Sequence, residues 1–216
     1  MNKGEVTGVA WLTACLVFAA LANFYSSEIA YLTLILFSVA LIVSKKQDPP
    51  AIRKPDLLIA LIAPLVAQIP FHPLIMRSAP SAMLSVFMIA AALVEELFYR
   101  GVLLLDLGNV MQAFVFALCH MRLGDPASLV GSALLVPHYL LLGFTLGLLA
   151  ERGGWPLSFV AHSVYNFSSL HYVLPFEIGA IAGLVLGDGI MTALTAFYFW
   201  AINSYTSVNV PRLLKE

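Results

Sequence analysis

Apolar residues in this chain neither alternate nor keep to one helical face; they run in long blocks between short polar or proline-bearing breaks. A helix needs about 20 such residues to cross a bilayer. The blocks are Val6–Tyr25, Ile29–Ser44, Asp56–Ile75, Ser81–Leu105, Asn109–Met121, Ala127–Ala150, Trp155–His171 and Ile178–Ser204. The connections between them are short, as in a packed bundle. The pattern predicts an all-α fold: a polytopic transmembrane helical bundle of about eight membrane segments. No internal repeat or low-complexity segment divides it, so residues 1–216 read as a single integral-membrane domain. The fifth block is short, about 13 residues or ~20 Å at 1.5 Å per residue, against a hydrocarbon core of ~30 Å. It is expected to stop inside the protein, with Arg122-Leu123-Gly124-Asp125-Pro126 lining a cavity. Irregular backbone is tolerated at that depth only where protein or water satisfies it.

Composition sharpens this reading. Of 216 residues, 61% are hydrophobic and 11% charged, where a soluble domain carries about 25% charged residues. The net charge of -1 offers no basic field for nucleic acid. Cys15 and Cys119 both lie in apolar blocks and suggest no disulfide framework. Leu12-Thr13-Ala14-Cys15 and Ala20-Leu21-Ala22 resemble processing sites only weakly, because Glu5 accompanies Lys3 in the region ahead of them. Met1–Tyr25 is therefore read as a retained first helix. Basic residues in short loops favour the cytoplasmic side. Lys45, Lys46, Arg53 and Lys54 put their loop inside, and both termini with it; the 70–80 loop, with His72 and Arg77, falls outside.

Glu95, Glu96 and Arg100 stand within six positions of the fourth block. Charges at such depth cost a few kcal/mol or more, so they are rare and usually functional. Glu96 and Arg100 are four apart and can pair on one helix face. Glu95 lies about 100° away around the helix and is left to react. If the chain reverses at Leu107-Gly108, Glu95 and His120 stand equally far from the turn and meet at one depth. His162 and Asn166 share a face of the seventh block and can reach the same place. Structural readings compete. Glu96–Arg100 alone could be an ion pair of the fold, His138 and His171 could be interhelical hydrogen-bonding residues, and Asp188 a polar contact. A Cys119 nucleophile is disfavoured, since neighbouring helix residues do not face each other.

Three motifs then align with a known family. Glu95-Glu96-Leu97-Phe98-Tyr99-Arg100 reads EExxxR, Phe116-Ala117-Leu118-Cys119-His120 reads FxxxH, and His162-Ser163-Val164-Tyr165-Asn166 reads HxxxN. In this order they resemble the CPBP family of intramembrane proteases, also called type II CAAX prenyl endopeptidase-like or Abi proteins. The resemblance covers residues 84–170, the core carrying the three motifs. It implies a glutamic-type endopeptidase. Glu95 would be the general base activating water, with His120 positioning it. His162 and Asn166 would stabilise the oxyanion, and Glu96 and Arg100 would orient the site. It leaves the metal open: a metal-free glutamate mechanism is favoured and no cofactor expected, with zinc on Glu95, His120 and His162 as the alternative; there is no His-Glu-x-x-His pair. The implied partner is a membrane-anchored peptide or protein, cut at a C-terminal tail or anchor. The short chain points to a prokaryotic cytoplasmic membrane. Two rival functions fit the same residues. One is a proton-coupled transporter using Glu95, His120 and His162 as a relay; the other is a non-catalytic scaffold or immunity protein of the same fold.

Overall fold

The computed structural model describes residues 3–45, 50–70, 76–77, 79–170, 172–173 and 177–209. His72, His171 and Lys46, used above, lie outside them. Among the described residues eight α-helices follow in chain order: α1 Lys3–Phe24, α2 Ser27–Lys45, α3 Lys54–Ala67, α4 Ala82–Phe98, α5 Leu104–Cys119, α6 Pro126–Leu134, α7 Val136–Ser169 and α8 Ile178–Asn209. A π-helical turn, Tyr99–Leu103, joins α4 to α5. Two-residue strands β1, Met76–Arg77, and β2, Tyr172–Val173, pair antiparallel with Met76 opposite Val173. This small ladder is the one departure from an all-α chain among the described residues. It ties the loop before α4 to the loop after α7.

Two helices are continuous runs of turns only nominally. Gly108 interrupts α5 at φ 74°, and Gly153–Gly154 interrupt α7, Gly154 at φ 69°. Only glycine occupies that region readily. The rings of Tyr99 and Phe116 are 5.0 Å apart, where 17 residues of straight helix would separate them by ~25 Å. Likewise His138 and Tyr165 stack at 6.0 Å, against ~40 Å for 27 residues of straight helix. Both elements are hairpins folded at glycine. The reversal expected at Leu107-Gly108 is present; the sixth apolar block is α6 followed by the first limb of α7, with a bend of 47° between α6 and α7, and the seventh falls on the second limb.

The count of membrane segments is not carried by helix length. Among the described residues two helical runs are long and apolar enough to cross a membrane, Ala82–Cys119 and Ile178–Ser204; α6 with α7 makes a third. About eight membrane segments are not confirmed: the sixth apolar block is divided between α6 and the first limb of α7, and several other helices are too short to satisfy the length criterion alone. The third block was expected to run to Ile75, yet α3 ends at Ala67 after 14 residues, with Pro64 inside it. Proline removes a ladder hydrogen bond and crowds the preceding turn, which shortens such helices.

α7 occupies the middle and packs against α3, α4, α5 and α8. Large apolar side chains cover the outside, including Leu36, Val86, Phe114, Phe197 and Trp200. Glu95, Glu96, Arg100, Gln112 and Asp188 are buried within. Apolar exteriors around a polar interior suit a lipid solvent. Small residues allow the closest approaches. A methyl group on Gly187 of α8 would sit 2.0 Å from the Ala67 carbonyl oxygen, and one on Gly147 of α7 1.8 Å from Asn109 Oδ1.

Candidate active site

The last turn of α4 and the π turn after it supply the first group of charges. Glu96 is fully buried, and Arg100, one turn later, donates from Nη1 to Glu96 Oε1 at 2.9 Å. Arg100 Nη2 donates to the Gly143 carbonyl at 3.0 Å, and its guanidinium lies over the Phe116 ring at 4.6 Å. A buried guanidinium needs such a shell, because burying a charge is costly unless it is paired and hydrogen-bonded. Gln112 also donates to Gly143 O, at 2.9 Å, and Asn109 to Phe144 O at 3.0 Å. These bonds lock the Gly108 hairpin onto α7. A π turn widens the helix by one residue per turn and recurs at functional sites; here it carries Arg100.

His162, in the second limb of α7, donates from Nδ1 to Glu96 Oε1 at 2.7 Å. Its other nitrogen, Nε2, lies 3.8 Å from Glu95 Oε2. One imidazole therefore spans the two neighbouring glutamates. Glu95 was expected to be unattached, but Tyr31 of α2 donates its hydroxyl to Glu95 Oε1. His120 caps the C-terminus of α5, where its Nδ1 donates to the Phe116 carbonyl at 2.8 Å. A carbonyl can only accept, so Nδ1 carries the proton and Nε2 is the ring's free atom. The ring stacks on Tyr139 at 4.1 Å. Asn166 Nδ2 reaches the Met88 carbonyl at 3.4 Å, a weak bond that leaves the amide available.

Glu95, His120, His162 and Asn166 line one cavity of about 400 Å³, together with Tyr31 and Arg122. The structure thus brings all four expected catalytic residues together, with Glu96 and Arg100 behind them. Arg122 is the part of the 122–126 loop that reaches the cavity. Its backbone N–H donates to Ser132 Oγ at 2.9 Å, and Leu123 N–H to Asn23 Oδ1 at 2.6 Å. Among the described residues no three His, Cys, Asp or Glu side chains group as metal ligands. Nδ1 of His162 is also committed to Glu96.

Sequence reading missed Tyr31, Tyr139 and the pairing of His138 with Asp188. His138 makes an interhelical hydrogen bond of the expected kind, from Nδ1 to Asp188 Oδ2 at 2.6 Å. Tyr165 donates to Asp188 Oδ1 at 2.8 Å. An acid in the middle of the last apolar block demanded a partner, but nothing in the sequence said which histidine. Tyr31 carried no signal beyond a hydroxyl in an apolar run.

The fold and this site define a helical integral-membrane protein with an acid–base centre enclosed between its helices. A family model, type II CAAX prenyl endopeptidase Rce1-like, matches residues 77–168. That stretch holds all three motifs, and the resemblance read from them is shown for it. No curated protein matches the chain.

Proposed function

We propose that this protein is a glutamic-type intramembrane endopeptidase, hydrolysing a peptide bond in or near the membrane. The observation that carries the reading is the convergence of Glu95, His120, His162 and Asn166 on one cavity. Glu95 takes a proton from water as hydroxide adds to the scissile carbonyl, and His120 Nε2 holds that water. Tyr31 fixes the carboxylate in place. His162, with Nδ1–H given to Glu96, offers Nε2–H to the oxyanion beside the Asn166 amide. Preorganised donors of this kind stabilise the charge that develops in the transition state. Glu96 and Arg100 hold His162 in orientation. The water is activated without a metal.

The substrate is a membrane-anchored peptide or protein, cut at a C-terminal tail or anchor. The setting proposed is a prokaryotic cytoplasmic membrane with both termini in the cytoplasm. The test compares wild type with Glu95→Gln in detergent, with and without a strong chelator. Membrane-anchored peptides from the same genome are the substrates, and mass spectrometry reads the products. A cut that is lost in Glu95→Gln and unaffected by chelator is expected. A cut that survives Glu95→Gln would overturn the reading. Loss on chelation, restored by zinc, would overturn the metal-free step.

A further inference from the structure

The same cavity is lined by His138, which belongs to a second histidine–carboxylate pair that the mechanism above does not use. His138 stands on the first limb of α7, whereas His162 and Asn166 stand on the second. Asp188 is fully buried in α8 and uses both carboxylate oxygens: Oδ2 for His138 Nδ1 at 2.6 Å and Oδ1 for the Tyr165 hydroxyl at 2.8 Å. The ring of His138 is wedged between Tyr139 at 4.6 Å and Tyr165 at 6.0 Å. With Nδ1 engaged, Nε2 is its remaining polar atom, and His138 lines the cavity. A pair built for packing alone has no need of a place on the cavity lining. An isolated buried carboxylate is costly, and an imidazolium beside it offsets that cost. The second hydrogen bond, from Tyr165, occupies the other carboxylate oxygen. Such an imidazolium presents an Nε2–H donor to whatever fills the cavity.

We propose that His138, held by Asp188 and Tyr165, is the acid that protonates the leaving amine. The step rests on the peptidase reading above. Peptide hydrolysis needs two proton transfers. Glu95 removes one proton from water, and the oxygen forms its bond to the carbonyl carbon. When the tetrahedral intermediate collapses, the carbonyl re-forms and the C–N bond breaks. The nitrogen then takes the proton from His138 Nε2, leaving a neutral ring on Asp188. The new carboxylic acid gives its proton to the free amine. Protonated Glu95 returns the water's proton to His138 through cavity water, and both groups are reset. One glutamate would otherwise have to serve both ends of the reaction.

The test uses the peptide cut by wild type and its depsipeptide twin, with an ester at the same bond. An alkoxide leaves far more readily than an amine and gains little from a general acid. His138→Gln is expected to lose about 10²-fold in kcat on the amide and less than about a tenth of that factor on the ester. Tyr165→Phe, which keeps the ring packing, is expected to show a smaller bias of the same sign. Glu95→Gln is expected to lose both substrates, so its behaviour reports separately on the peptidase reading. Equal losses on amide and ester in His138→Gln would overturn the proposal. A readout independent of any substrate is ¹⁵N NMR of histidine-labelled protein in micelles. A doubly protonated His138 ring in wild type, losing its charge in Asp188→Asn, is expected; a neutral ring indifferent to Asp188→Asn would overturn it.

Discussion

Replacing Glu96 with Gln removes one negative charge and almost no volume. Glu96 is fully buried, and it is the counter-charge of an Arg100 that is itself only 2% exposed. The amide oxygen of Gln can still accept from His162 and Arg100, so the geometry survives while the ion pair does not. Breaking a buried pair from one side costs about 3–5 kcal/mol, because it strands the partner's charge. For a chain of this size that is a fall in melting midpoint on the order of 10 °C. The reasoning makes a second demand. Glu96→Gln combined with Arg100→Met removes both charges, and the double variant should recover to within about 1–2 kcal/mol of wild type. The Gly143 carbonyl does not become an orphan in that variant, because Gln112 donates to it as well. Denaturant or thermal unfolding in one detergent, completed as a double-mutant cycle, measures the coupling. A single variant within about 0.5 kcal/mol of wild type, or a double variant no better than the single, would refute the claim that charge burial dominates here.

Four further outcomes follow from the same geometry. Tyr31→Phe deletes the hydroxyl that donates to Glu95; hydrogen bonds to charged groups are worth about 1.5–3 kcal/mol. Turnover of the cleaved peptide should fall about 10- to 100-fold, with KM little changed in steady-state kinetics. Gly147→Ala drives a methyl group to 1.8 Å from Asn109 Oδ1 and should cost about 1–3 kcal/mol by overpacking. Gly189→Ala, which meets nothing within 4 Å, should be neutral or stabilising in the same melt. Asp125 caps α6, accepting from the Ala127 and Ser128 N–H groups and the Ser128 hydroxyl. Those bonds hold its carboxyl below the usual carboxylate range. The cap's contribution is therefore complete above about pH 4 and is lost as pH falls through the depressed value. Hydrogen exchange at Ala127 and Ser128 should speed up in Asp125→Ala near neutrality and, relative to that variant, lose its protection only in strong acid.

The helical, membrane-embedded character was legible because it depends on local quantities. Block length, mean apolarity and the rarity of charge can all be counted along the chain, and lipid makes the same demand of every segment. The motif residues were legible for a related reason. A charge in lipid needs a cause, and Glu95, Glu96, Arg100, His120 and His162 stood out as exceptions. Even the reversal at Gly108 left a mark, in a glycine between two apolar runs at equal distance from Glu95 and His120. What crosses between distant segments left none. Tyr31 reaches Glu95 from 64 residues away, and His138 reaches Asp188 from 50 residues away. Hydroxyls and imidazoles of this kind are ordinary residues until packing chooses their partners. The extent of α3, the bend between α6 and α7 and the small β1–β2 ladder were decided in the same way. The sequence by itself determined the solvent this protein lives in and the groups that must be buried. The tertiary structure alone decided which buried groups meet, because in a dry interior the partner is set by which helices pack together and not by spacing along any one of them.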